Sequence, residues 1–108
     1  MDKDKLYLQH VVEAVGRIRT YTEGLTLEAF KVDSLRQDAV VRQLEIVGEA
    51  ARMVSEKTKL AHPNIPWYQI VGMRNRLIHE YFGVDFDAVW KTVTQDLQIL
   101  TETFGTKS

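Results

Sequence analysis

Cysteine is absent from this chain, which excludes disulfides, thiolate nucleophiles and cysteine zinc sites. Histidine is scarce, and His10, His62 and His79 lie too far apart in sequence to form a paired-histidine metal helix. A dedicated metal site is therefore not expected. Only two prolines occur, both in the hexapeptide AHPNIP. No run approaches the roughly 20 apolar residues that a membrane-crossing helix needs. The opening stretch MDKDKLYLQH lacks the apolar core and cleavage site of a secretory signal, so the cytoplasm is the expected compartment. Neither sign of charge dominates: 14 Lys and Arg face 15 Asp and Glu, for a net charge of −1. Any contact with nucleic acid must then come from a local patch rather than a global field. What remains is 44% hydrophobic and 27% charged over 108 residues, the profile of one folded domain with a single modest core.

The apolar spacing is helical nearly throughout. Leu8, Val11, Val15 and Ile18 recur at three- and four-residue steps, predicting a first helix over about residues 4 to 22 that breaks at Gly24. TLEAF reads as a short helical turn. Ser34 followed by Gln37 resembles a capping box, opening a long helix that runs to about Thr58. Val40, Leu44, Val47, Ala51 and Val54 mark one stripe on it, and Ala39, Ile46, Ala50 and Met53 an adjacent one. A helix apolar over so wide an arc is expected to pack on two sides. Gly48 inside it costs about 1 kcal/mol relative to alanine, which points either to close approach of another backbone or to simple tolerance. Pro66 is placed as the first residue of the next helix, which spans about Trp67 to His79. EYFGVD turns the chain, and Asp85 or Asp87 can cap a last helix. Its stripe is Phe86, Val89, Val93, Leu97, Leu100 and Phe104, with Gly105 as C-cap. No alternating strand pattern or repeat occurs. The expectation is an all-α, up-and-down bundle of four main helices plus a short extra one.

One segment, MRNRLIHEYF, concentrates donor and proton-transfer chemistry. Asn75 and His79 are one turn apart, and Arg76 and His79 are three apart, so each pair shares a face. Arg74 is about 140° from His79 around the axis. It reaches a common ligand only from the flank, or from another copy of the chain. Guanidinium forks suit phosphate oxygens, and histidine titrates near neutral pH. RNA brings its own nucleophile, the 2′-OH, so its cleavage needs only a proton shuttle and cationic support. Plainer readings exist for each residue. A histidine in a last helical turn is favoured by the macrodipole and can bond a terminal carbonyl. Arg74 or Arg76 can pair with Glu49 or Glu45, and Tyr81 and Phe82 can close the core. Trp67 and Trp90 read as core or interface anchors, and His10 and His62 as surface residues without chemistry.

Arg74, His79 and Tyr81 together read R-x4-H-x-Y. The segment resembles the signature of the HEPN superfamily, and specifically of its HepT-like toxins. The resemblance covers nearly the whole chain: AVVRQLEIVGEAA, PNIPW, GMRNRLIHEYFGVD and the pair Val89–Trp90 stand in that family's order. R-x4-H alone arises often by chance, whereas the combined set is specific. Gln98 departs from the proline that many relatives carry, on the last helix and away from the motif. The resemblance implies a homodimer that brings two R-x4-H segments into one cleft. It implies a metal-independent endoribonuclease with no cofactor, the toxin half of a two-gene toxin–antitoxin module. It also implies a cognate antitoxin, a minimal nucleotidyltransferase of the MntA type, which attaches AMP to the tyrosine matching Tyr81.

The residue chemistry fits that expectation. One chain holds one proton shuttle, whereas transesterification calls for a base at the 2′-OH and an acid at the leaving 5′-oxygen; a two-fold dimer supplies both. The expected roles are Arg74 on the scissile phosphate, His79 as general acid or base, and Asn75 orienting phosphate or imidazole. Arg76 is a further electrostatic contact to substrate, and Tyr81 is the regulatory acceptor. The near-neutral charge favours selective RNA substrates, such as tRNA, over tight nonspecific binding. The rival readings are a non-catalytic helical dimer that docks a nucleotidyltransferase, and a nucleotide-binding helical domain.

Overall fold

The first helix, α1 (Asp4–Thr22), buries Val11, Ala14, Val15 and Ile18 at the predicted spacing. It stops where Gly24 takes a φ of 76°, a left-handed conformation that glycine adopts without a Cβ penalty. The computed structural model describes residues 3–80 and 82–105. Tyr81 therefore lies outside the described residues. TLEAF forms a helix, α2 (Leu27–Lys31), capped by the Thr26 side chain. Its Phe30 is fully buried, with ring centroids 5.9 Å from Phe86 and 5.2 Å from Trp90. Lys31 reaches Asp87 at 3.2 Å.

The long helix, α3 (Ser34–Met53), departs from expectation at both ends. Its N-cap is Asp33, whose carboxylate accepts from Arg36 N at 3.1 Å; Ser34 is already helical. Gln37 does not close a capping box. It is buried and donates to the Phe30 carbonyl at 2.9 Å, satisfying a group at the end of α2. At the other end the helix stops at Met53 rather than near Thr58, because Val54 is extended and Ser55 caps a separate short helix, α4 (Glu56–Ala61). The Asp4 carboxylate accepts from Ser55 N at 2.9 Å and from the hydroxyls of Ser55 and Thr58, tying α4 to the start of α1. These bonds hold the Asp4 carboxyl below its usual range, the Ser55 hydroxyl first among them.

Helix α3 is the centre of the bundle, with α1 and α5 (Trp67–His79) packed along it. Val40, Leu44, Val47 and Ala51 are buried as predicted. The second stripe is more open: Ala50 is buried, Ile46 half-buried and Met53 exposed. Burying each large aliphatic residue of this core contributes about 1.5–3 kcal/mol. Pro66 stands one residue ahead of its expected place. It is the N-cap of α5, and its carbonyl accepts from Ile70 N at 3.1 Å.

The last arm is not one regular helix. Asp85 caps α6 (Phe86–Lys91), a π-helical segment (Thr92–Asp96) follows, and α7 (Gln98–Phe104) completes it. Val89, Val93 and Leu97 are separated by two consecutive four-residue steps, which overshoot two α-turns by about 80°. A wider π turn takes up that excess and keeps Val89 and Leu97 both buried. Gly105 is the C-cap but is extended (φ −67°), not left-handed. Glycine is needed there for space, since a Cβ would strike the Thr101 carbonyl oxygen.

Candidate active site

The sequence of α5 divides its circumference. Ile70, Met73 and Leu77 turn inward and are buried, which leaves Tyr68, Asn75 and His79 exposed. Arg74 falls on the edge facing α3. Its place is set by Gly48: a Cβ there would collide with Arg74 Cβ and lie 3.2 Å from the Ile70 carbonyl oxygen. Of the two sequence readings of this glycine, close approach is the one found. The absence of a side chain at Gly48 lets the stem of Arg74 rest on α3.

From that seat the Arg74 guanidinium meets Glu49 Oε1 at 3.1 Å and donates to Asn75 Oδ1 at 2.9 Å. Glu49 is itself gripped by Arg52, at 2.8 Å between Nη2 and Oε2. The Arg52 hydrogen bonds hold the Glu49 carboxyl below its usual range. Burial opposes that shift, and the charges of Arg52 and Arg74 add to it. Arg74 is thus paired, as the plainer reading allowed, and held on two sides, by the ion pair with Glu49 and the hydrogen bond to Asn75. Its side chain keeps 28% of its surface open. Arg76 pairs with neither Glu45 nor Glu49; it makes a loose 3.8 Å contact with Glu80 at the surface.

His79 ends the helix. It is exposed and has no hydrogen-bond or ion-pair partner among the described residues, so it caps no terminal carbonyl. Nor does a hydrogen bond join it to Arg74. The chain brings Arg74 and Asn75 together, places Arg76 and His79 a turn apart, and leaves the offset between Arg74 and His79 in place. Phe82 is 93% exposed and closes no core, contrary to one sequence reading.

Two grooves flank α5. Arg74 and Ile78 open into one of about 520 Å³, shared with Tyr7 and His10 of α1 and with Glu45 and Glu49 of α3. His10, given no chemistry from the sequence, therefore lines the same groove as Arg74. No local pattern could have signalled it, because 63 intervening residues separate the two in the chain. The other groove, also about 520 Å³, runs between Tyr68, Asn75 and Arg76 of α5 and Lys91, Thr92 and Asp96 of the last arm. His62 is not a bare surface residue. Half-buried, it sets Nδ1 3.1 Å from the Thr58 carbonyl and packs edge-on against Phe104. Trp67 donates to the His62 carbonyl at 3.1 Å and sits near Phe104, a packing role as expected.

Among the described residues no three His, Asp or Glu side chains gather as a metal ion would require. No helix among them is long and apolar enough to cross a membrane.

A helical bundle ending one helix in R-x4-H is the arrangement of the HEPN superfamily, and comparison narrows the class. The family described as ribonuclease HepT-like matches residues 11–105. A protein of Thermococcus cleftensis named a probable ribonuclease HepT is 43% identical over 100 residues, covering 93% of this chain and 91% of its own. A protein of Methanocaldococcus jannaschii, provisionally named an RNase, is 37% identical over 93 residues, covering 86% of this chain and 85% of its own. One from Caldanaerobacter subterraneus, named in the same way, is 35% identical over 97 residues, covering 90% and 87%. No solved structure matches significantly. The chain belongs to the HepT-like family of the HEPN superfamily.

Proposed function

We propose that this protein is a metal-independent endoribonuclease, the toxin of a toxin–antitoxin module, acting as a homodimer. The observation that carries the proposal is the exposed His79, without a hydrogen-bond or ion-pair partner among the described residues, on the helix whose Arg74 is held by Glu49 and Asn75. The names of the relatives support the reaction class. In the proposed reaction one His79 removes the proton from the RNA 2′-OH. The freed oxygen attacks the adjacent phosphorus, and the 5′-oxygen leaves with a proton from the partner subunit's His79. The products are a 2′,3′-cyclic phosphate and a 5′-hydroxyl end. Arg74 offsets the charge that builds on the phosphorane-like transition state, a contribution that such preorganised donors make most strongly where water is excluded. Asn75 holds the Arg74 fork or the phosphate, and Arg76 adds a contact to the RNA. Glu49 joins the set as a positioning residue, acting through Arg74.

Dimerisation overcomes the angular offset between Arg74 and His79, because each arginine can serve the other subunit's histidine. Exposed apolar side chains near the end of α5, Ile78 and Phe82, support a partner surface there. An AMP group on Tyr81, added by a nucleotidyltransferase antitoxin of the MntA type, brings a phosphodiester anion and a bulky nucleoside to the cleft. It would compete with RNA for the arginines and switch the enzyme off.

The test is RNA cleavage in the presence of EDTA, with analysis of the ends. Cyclic phosphate ends are expected. Their absence with every RNA tried, tRNA and mRNA included, would leave the rival in place: a non-catalytic dimer that docks the antitoxin through its arginines. The Arg74–Glu49 pair is the observation that keeps this rival alive. Mass spectrometry after co-expression with a minimal nucleotidyltransferase of the MntA type then tests for AMP on Tyr81.

A further inference from the structure

Three grooves among the described residues differ in their charges. The groove beside Arg74 sets Arg42 and Arg74 against Glu45 and Glu49. A third, under α1, sets Lys5 against Asp4 and Glu13. Only the groove between α5 and the π-helical segment has a cationic surplus among the three, with Arg76 and Lys91 against Asp96. It also begins at Asn75, beside the proposed scissile position. Tyr68 lines it with 88% of its surface open, an aromatic face with no packing task. Lys91 is exposed and without an ion pair among the described residues, and Arg76 has only its 3.8 Å contact with Glu80 to give up. A single-stranded polyanion that carries flat bases asks for these features: cations along its backbone and an aromatic surface for stacking.

Resting on the ribonuclease reading, we infer that this groove is a nucleotide subsite for the residue flanking the scissile linkage. Arg76 and Lys91 take its phosphate, and Tyr68 stacks its base. Asp96, on the π-helical segment, accepts a hydrogen bond from a base that presents an amino or imino donor. That segment is an irregularity of a kind often found at functional sites, and here it forms one wall of the groove. The groove's volume of about 520 Å³ leaves room for one nucleotide and solvent.

The experiment uses the full chain and two RNAs. One is ordinary single-stranded RNA, for cleavage. The other is a fluorescent, fully 2′-O-methyl strand of the same sequence, which binds but has no nucleophile. Lys91→Gln should weaken binding of the second strand and lower the slope of log Kd against log salt by about 0.7, the loss of one phosphate contact on single-stranded nucleic acid. Tyr68→Ala should weaken binding about fivefold or more, with Tyr68→Phe close to wild type. In cleavage, both Lys91→Gln and Tyr68→Ala should raise KM more than they lower kcat. Asp96→Asn should change which base is preferred beside the cut. If the wild type cleaves RNA while Lys91→Gln and Tyr68→Ala keep its affinity and salt slope, the subsite is wrong and the ribonuclease reading stands. If the wild type neither binds nor cleaves, the ribonuclease reading fails and takes the subsite with it.

Discussion

Arg74 is the side chain at which the packing of α5 on α3 and the proposed chemistry meet. Its stem lies on Gly48, and its guanidinium is shared between Glu49 and Asn75. Glu49 is nearly half exposed, so its pairs contribute little to folding. Glu49→Gln should change stability by no more than about 0.5 kcal/mol. It should nevertheless lower kcat about tenfold or more, because a misaimed guanidinium loses the transition-state contact it was positioned for. Urea unfolding and single-turnover cleavage, measured on the same preparation, separate the two effects, and Glu49→Asp should recover part of the activity. The acidic side of the pH profile also belongs at this scale. Asp4 and Glu49 both have carboxyls lowered in the folded state. A lowered folded value means stability that is fully present above the unfolded value and lost as pH falls through the folded one. The Tm should therefore hold level above about pH 5 and decline below about pH 4. In Asp4→Asn the decline should be shallower; an identical profile would deny Asp4 its role in joining α1 to α4.

Among the elements, the close contact of α3 with α5 is the joint that positions the site. Gly48→Ala puts a methyl group against Arg74 Cβ, the root of a side chain that cannot swing aside, and near the backbone of Ile70. Overpacking of this kind costs about 1–3 kcal/mol. The variant should show a lower urea midpoint with an unchanged slope, together with reduced cleavage as Arg74 is displaced. The helices themselves were legible in the sequence because their apolar residues repeat at helical steps over long stretches, as in α1 and the buried stripe of α3. Their ends were less so. Asp33 rather than Ser34 caps α3, its carboxylate accepting from Arg36 N, and Gln37 turns instead to the Phe30 carbonyl. The break at Val54 depends on Asp4, fifty residues away, whose carboxylate secures the Ser55 cap. The π turn left a trace in the doubled four-residue spacing of Val89, Val93 and Leu97, but a stripe read at one fixed period hides it. For the site, R-x4-H was readable because it lies on one helix. Glu49, His10 and Lys91 come from three other elements, and only folding shows that they border the same segment.

At the scale of the whole molecule, the net charge of −1 gives RNA no general attraction, so the proposed binding has to come from local cations, for which α5 and its neighbours are the proposed source. It also leaves little repulsion between copies of the chain. The reaction proposed needs a base at the 2′-OH and an acid at the leaving 5′-oxygen, and a two-fold dimer would supply His79 for both. In the proposed mechanism cleavage rests on the exposed His79 at the end of α5, contributed once by each subunit of the proposed dimer. The direct measurement is cleavage of end-labelled RNA in EDTA by the wild type and by His79→Ala, with thermal unfolding followed in parallel. Because His79 is exposed and bonds to no other described residue, the variant should unfold at the wild-type temperature, produce no cyclic phosphate ends, and no longer arrest growth when expressed alone. Folded His79→Ala protein that still cuts RNA at the wild-type rate would contradict the account.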